Sequence, residues 1–284
     1  MMLDVQGRPA YCYTGGKPFD AALPTAVFLH GAQHDHSVWV LQTRYFAHHG
    51  FGVLAPDLPG HGRSGGAALI SIEAMADWLL AVLNAAGVAL DAAGARVTLI
   101  GHSMGSLIAL EAAARAPQHV AALALVGTTL PMRVSDVLLD AARDAEQSAI
   151  DMVNIWSHST IAHKPSSSGP GFSVLGGNRR LMQKIARQPK PDGVTDSVFL
   201  TDFKACNAYA NGEAAAAQVT CPTLLLLGAN DQMTPPKTTA LLRAAIAQHC
   251  LVQIANCGHA LMAEQPDAVL DALFGFAVQA ARTQ

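Results

Sequence analysis

Residues 100–106 read Ile100-Gly101-His102-Ser103-Met104-Gly105-Ser106, a serine between two glycines where the run from Arg96 to Ile100 gives way to a helical pattern. The spacing Gly-x-Ser-x-Gly is that of a nucleophile elbow. A serine at the tip of a sharp strand-to-helix turn sits in a strained backbone conformation. Such strain is tolerable only where the residues two before and two after lack side chains, and Gly101 and Gly105 occupy those places. Leu107, Ile108, Leu110 and Ala112 to Ala116, ahead of Pro117, then read as a short buried helix. Its first N–H groups face back toward the serine, where they favour negative charge.

A serine hydroxyl is a poor nucleophile at neutral pH, so a base must take its proton and a third group must orient that base. Of the twelve histidines, His259 in Asn256-Cys257-Gly258-His259-Ala260 is best placed, in the loop after the last expected strand. His102 adjoins the serine in sequence, so its side chain leaves the turn in another direction and reads as packing. His34, His36, His48, His49, His158 and His163 lack metal-type spacing, and most are assigned to solvated loops. The orienting acid should follow a strand end between serine and histidine in the chain. Asp231, after Leu224-Leu225-Leu226-Leu227-Gly228-Ala229-Asn230, meets that condition and gives the order Ser103, Asp231, His259.

Outward from this centre the chain alternates strand and helix. Residues 3–14 suggest a leading hairpin, and Thr25–Leu29 and Phe51–Ala55 read as strands that end in tight loops. Ile72, Met75, Ala76, Leu79, Leu80 and Leu83 recur at helical spacing, and Val120–Val126 is a continuous apolar strand. After Pro131 the rhythm changes. Residues 132–212 read as an inserted, mainly helical cap, leaving 1–131 and 213–284 as the core domain. Strands resume at Thr223–Leu227 and Cys250–Ala255, with helices expected from about Pro236 to Gln248 and from about Pro266 to Ala281.

The 284 residues suffice for one large α/β domain with an insertion, and the 51% apolar and 14% charged composition is that of a globular protein. A net charge of −3 without a basic run gives no footprint for nucleic acid or an anionic membrane surface. No apolar stretch approaches the roughly 18 to 20 residues needed to span a bilayer. The start lacks a signal-peptide pattern, and five cysteines without a Cys-x-x-Cys pair suggest reduced thiols, so a cytoplasmic location is expected. Gly60-x-Gly62-x-x-Gly65 matches a dinucleotide-binding spacing, but Pro59 before it and Gly66-Ala67-Ala68 after it replace the required strand and helix.

His30-Gly31, Asp57-x-Pro59-Gly60-His61-Gly62-x-Ser64, the elbow, Gly228-x-x-Asp231 and Gly258-His259 occur in an order that resembles the α/β-hydrolase superfamily, in its cap-bearing serine hydrolase branch. The resemblance spans nearly the whole chain. It implies an α/β-hydrolase fold, with a mostly parallel eight-stranded sheet, helices on both faces and a helical cap inserted after strand 6. It also implies an oxyanion hole from the backbone N–H groups of Ala32 and Met104. The chain departs from the pattern at Ser106, where many relatives have a glycine, and at Gly31-Ala32-Gln33-His34, which lacks a multi-glycine run.

The expected activity is that of a serine hydrolase, a carboxylesterase working through an acyl-enzyme on a small apolar ester, without metal or cofactor. The same triad also serves C–C bond hydrolases, thioesterases, lactonases, aminopeptidases, perhydrolases and acyltransferases. A non-catalytic small-molecule receptor is the alternative of another class. Trp39, Met152, Trp156, His158, Phe172 and Met262 are the candidate pocket walls. The expected partner is a small-molecule substrate, with no nucleic acid and no membrane, and the chain is expected to be a monomer or homodimer.

Overall fold

The structure, a computed structural model, describes residues 1–88, 97–159 and 173–282. Its eight strands are β1 (Met2–Val5), β2 (Arg8–Tyr13), β3 (Thr25–Leu29), β4 (Gly52–Pro56), β5 (Val97–His102), β6 (Val120–Val126), β7 (Thr223–Gly228) and β8 (His249–Ile254). They form one sheet in the order β1-β2-β4-β3-β5-β6-β7-β8. The hairpin β1–β2 and the pair β2–β4 are antiparallel, and every other pairing is parallel.

Helices cover both faces. In chain order they are α1 (Val40–His48), α2 (Ile72–Ala85), α3 (Met104–Arg115), α4 (Asp136–Asp144), α5 (Glu146–Trp156), α6 (Val174–Ala186), α7 (Val198–Ala208), α8 (Gly212–Gln218), α9 (Ala240–Ala245), α10 (Leu261–Glu264) and α11 (Pro266–Arg282). Because strand side chains alternate between faces, each buried strand feeds two cores. Val27, Leu29, Leu99, Leu123, Leu125 and Leu225 pack with α2 and α3 on one side. Ala26, Phe28, Ile100, Ala124, Val126, Leu224 and Leu226 pack with α1 and α11 on the other.

Among the described residues, five helices, α4 to α8, stand between β6 and β7. The element at the expected boundary, α8, packs on α3 of the core. The helix expected over 236–248 is shorter and broken: a 3-10 turn over Pro236–Thr239 leads into α9, which ends at Ala245. Pro235 and Pro236 supply no N–H donors, and β8 begins at His249, so little chain remains for a regular helix.

The parallel register aligns the strand ends. Leu29 pairs with Gly101, His102 with Val126, Val126 with Leu226 and Gly228 with Ile254. The loops that follow β3, β5, β6, β7 and β8 therefore open on one edge, where ligands of open α/β sheets are bound.

Candidate active site

Ser103 caps α3 with φ 52° and ψ −120°, a conformation costly for a residue with a Cβ. The flanking glycines permit it. A Cβ on Gly101 would run into the Gly105 carbonyl, and one on Gly105 would lie 2.5 Å from the Leu29 carbonyl oxygen. Ser103 N–H donates to the Val126 carbonyl at 2.9 Å, so β6 holds the turn from the side. Ser106 has a use of its own: its buried hydroxyl donates to the Ser103 carbonyl at 2.5 Å and lies 2.8 Å from Thr128 Oγ1.

Asp231 and His259 come from the loops after β7 and β8. A Cβ on Gly228 would collide with the Gly258 carbonyl, and Asn230 N–H donates to Cys257 O at 2.8 Å, so these loops are pressed together. His259 Nδ1 lies 2.8 Å from Asp231 Oδ2, which places the proton on Nδ1 and leaves Nε2 able to accept one. Thr234 Oγ1 donates to the same oxygen at 2.7 Å, and the N–H groups of Met233 and Thr234 donate to Oδ1, each at 2.8 Å. Burial opposes ionisation of Asp231, but the facing His259 and these donors outweigh it and hold the carboxyl at about 2.

The His259 ring also packs on Gly127, where an added Cβ would lie 3.2 Å from Nδ1, so Ser103, beside Val126, and His259 share one corner of the sheet edge. Among the described residues they share no hydrogen bond. Such contacts are commonly long without substrate and tighten in the complex. His102 packs beneath: its Nε2 donates to the His259 carbonyl at 2.8 Å, with ring centroids 4.7 Å apart. Burial and the neighbouring His259 push its pKa well below the ordinary range, so it stays neutral.

The loop after β3 is pinned peptide by peptide. His30 Nδ1 donates to the Gly31 carbonyl at 2.9 Å, while its Nε2 accepts from Leu58 N–H at 3.1 Å. Burial, with His61 nearby, lowers its pKa to about 4, which keeps that tautomer neutral. Since C=O and N–H of a trans peptide point oppositely, this fixes the Ala32 N–H on the side away from His30. Gly31 itself approaches the elbow so closely that a Cβ would be 3.2 Å from the Ser103 Cβ. Beyond it, His34 Nδ1 holds the Ala32 carbonyl at 2.6 Å, and Gln33, at φ 57°, donates its N–H to Asp202 Oδ2 of α7 at 2.8 Å.

The fully buried Asp202 also accepts from His61 Nε2 at 2.9 Å. The other His61 nitrogen faces the Pro59 carbonyl at 3.0 Å, so both nitrogens face acceptors, an arrangement that favours the doubly protonated ring. Burial alone would lower its pKa; Asp202 outweighs that and raises it. None of these long-range contacts has a local signal in the sequence.

Two cavities meet this edge. One of about 180 Å³ is lined by Ser103, Ala32, Trp156, Phe203 and Met233, and one of about 280 Å³ by His259, Met262, Leu41, Val174 and Leu181. Of the expected walls, Trp156 and Met262 line them. Trp39 does not: it is fully buried, donates Nε1–H to Leu29 O at 3.1 Å and packs on Phe28, and is therefore a core residue. Met152 packs against the core, and His158 is buried with Nδ1 2.7 Å from Asn154 O, so neither lines either cavity. Phe172 and His163 lie outside the described residues.

The assignment of histidines to solvated loops is corrected for three of them. His34 bridges to Asn178 of α6 at 2.8 Å, His36 Nδ1 lies 2.7 Å from Asp57 Oδ1, and His158 is buried as described above. Asp35, His36 and Asp57 form the one cluster of potential metal-ligand atoms among the described residues. Protein donors already fill it. Asp35 accepts from Ser37 and Lys184, and Asp57 accepts from His36 N–H and Arg63 N–H. A Cβ on Gly62 would strike the Asp57 carboxylate, so the glycine-rich loop after β4 wraps a side chain of its own protein.

The family model described as the alpha/beta hydrolase fold matches residues 24–266. The chain belongs to the α/β-hydrolase family. This hydrolase is 29% identical over 255 residues to a pimeloyl-[acyl-carrier protein] methyl ester esterase of Aromatoleum aromaticum, covering 86% of this chain and 94% of that protein. It is 24% identical to an (E)-2-((N-methylformamido)methylene)succinate hydrolase of Acinetobacter baylyi, covering 87% and 88% of the two chains. In fold the hydrolase is similar to the enol-lactonase of Burkholderia xenovorans, with a TM-score of 0.79 at 22% identity over 98% of this chain and 100% of that one. Among the described residues no helix is long and apolar enough to cross a membrane.

Proposed function

We propose that this α/β-hydrolase is a serine carboxylesterase working through an acyl-enzyme, with Ser103 as nucleophile, His259 as general base and Asp231 as its orienting acid. The strained Ser103 at the head of α3 carries the reading, because a φ of 52° in a non-glycine residue is maintained only where the surrounding structure enforces it. The neighbouring His259–Asp231 pair supplies what that hydroxyl needs. Ser103 Oγ attacks the ester carbonyl carbon as its proton passes to His259 Nε2. The tetrahedral oxyanion is held by the N–H groups of Ala32 and Met104, each donor contributing about 3–4 kcal/mol to transition-state stabilisation.

The alcohol then leaves with the proton from His259, and water, deprotonated by the same imidazole, releases the acid. Met104 suits its part as the first residue of α3, where an N–H has no intrahelical acceptor. In this reading the described helices α4 to α8, between β6 and β7, form the cap over this centre, and Trp156 and Met262 line the two cavities beside it. The test is labelling with a fluorophosphonate read by intact mass. One adduct on the wild type and none on folded Ser103→Ala is expected. An absence of adduct on the wild type would overturn the nucleophile assignment.

A further inference from the structure

The two cavities differ in chemistry. The His259 side exposes mainly apolar surface, with Leu41, Val174, Leu181 and Met262 in its walls beside the neutral polar Gln42 and Asn178. The Ser103 side carries a cation, the exposed Arg133, just past the cis Leu130–Pro131 peptide at the entrance to the inserted helices. Arg133 has no carboxylate partner within 4.0 Å among the described residues, as is true of most arginines here, and it is set apart by lining the cavity that holds Ser103. The leaving group must take its proton from His259, so it occupies the apolar side. The acyl group, bonded to Ser103 with its oxygen toward Ala32, extends into the side that holds Arg133.

We propose that the acyl group carries a carboxylate that pairs with Arg133, so that the preferred substrate is the half-ester of a short dicarboxylic acid with an apolar alcohol. A planar guanidinium matches a carboxylate in two parallel hydrogen bonds, which suits it to select an anionic acyl chain at a cavity mouth. The inference rests on the acyl-enzyme reading above.

The experiment compares kcat/KM for monophenyl glutarate and phenyl pentanoate, two phenyl esters of five-carbon acyl chains of which only the first is charged. The wild type is expected to favour the half-ester about five- to tenfold, as fits a charge-assisted contact at a half-open site. That ratio should fall toward one in Arg133→Gln, survive largely in Arg133→Lys and shrink with added salt. A wild-type ratio at or below one, or a ratio that Arg133→Gln leaves unchanged, overturns the inference while the esterase reading stands. If neither ester is cleaved and no fluorophosphonate adduct forms, the esterase reading falls instead. Calorimetric titration of glutarate then decides the anion site: binding abolished in Arg133→Gln supports it, and no binding, or equal binding in both proteins, removes it.

Discussion

At the scale of single residues, Thr234 bears most directly on how the proposed centre is tuned. Its hydroxyl gives Asp231 Oδ2 a second donor beside His259, in a place where water cannot substitute because Thr234 is only 2% exposed. Thr234→Val keeps the shape and removes the donor. A lost hydrogen bond to a charged acceptor is worth about 1.5–3 kcal/mol, so kcat should fall by about one to two orders of magnitude, with KM little changed, in steady-state kinetics on a neutral ester. The residues proposed for the reaction could be singled out in the sequence because each sits beside a backbone feature with its own signature: Gly101 and Gly105 around Ser103, the leucine run before Asp231, Gly258 before His259. Thr234 carries no such mark. Trp39 misled because an aromatic residue reads alike whether it lines a pocket or packs a core, and only its contact with Phe28 distinguishes the two.

Among the elements, the tie between α7 and the loops after β3 and β4 rests on a charged pair, so its strength depends on pH. The folded-state pKa of His61 is raised above its ordinary value of about 6.5. Its contribution to stability is therefore fully present below about pH 6.5 and is lost as pH rises through the folded-state value. His61→Gln leaves the buried Asp202 without its cation, a change that costs about 3–5 kcal/mol for buried pairs. Thermal melts across pH should show the gap in Tm between wild type and His61→Gln at its widest in mild acid, narrowing with increasing pH. A gap independent of pH would mean that folding leaves the pKa of His61 unchanged, and a gap that narrows in acid would mean that the folded ring is held neutral. This tie was hidden in the sequence because Asp202 stands 141 residues from His61 and 169 from Gln33, and no local period encodes so distant a partner. By contrast the strands β3 and β6 were legible to the residue, since an unbroken apolar run fits only a sheet covered on both faces.

For the whole molecule, the sheet separates the face packed by α2 and α3, which carries Ser103 at its edge, from the face filled by α1 and α11. Phe46 belongs to the latter, with its ring 5.1 Å from those of Phe28 and Phe51 and 5.2 Å from that of Phe274. Phe46→Ala should cost about 3–5 kcal/mol, seen as a lower denaturant midpoint. Labelling of Ser103 should persist wherever the variant remains folded. Loss of labelling in a folded Phe46→Ala protein would show that the two layers are coupled more tightly than their separation by the sheet implies.

Asp202 sits among the inserted helices, yet its carboxylate fastens the backbone one residue beyond Ala32. The insertion is therefore not an interchangeable module. A chimera that grafts another relative's segment between β6 and β7 would import a new pocket wall and, unless it also supplied an acid at this position, release the backbone beside Ala32, the proposed oxyanion donor. On the proposed mechanism, selectivity and rate are inherited together in this chain.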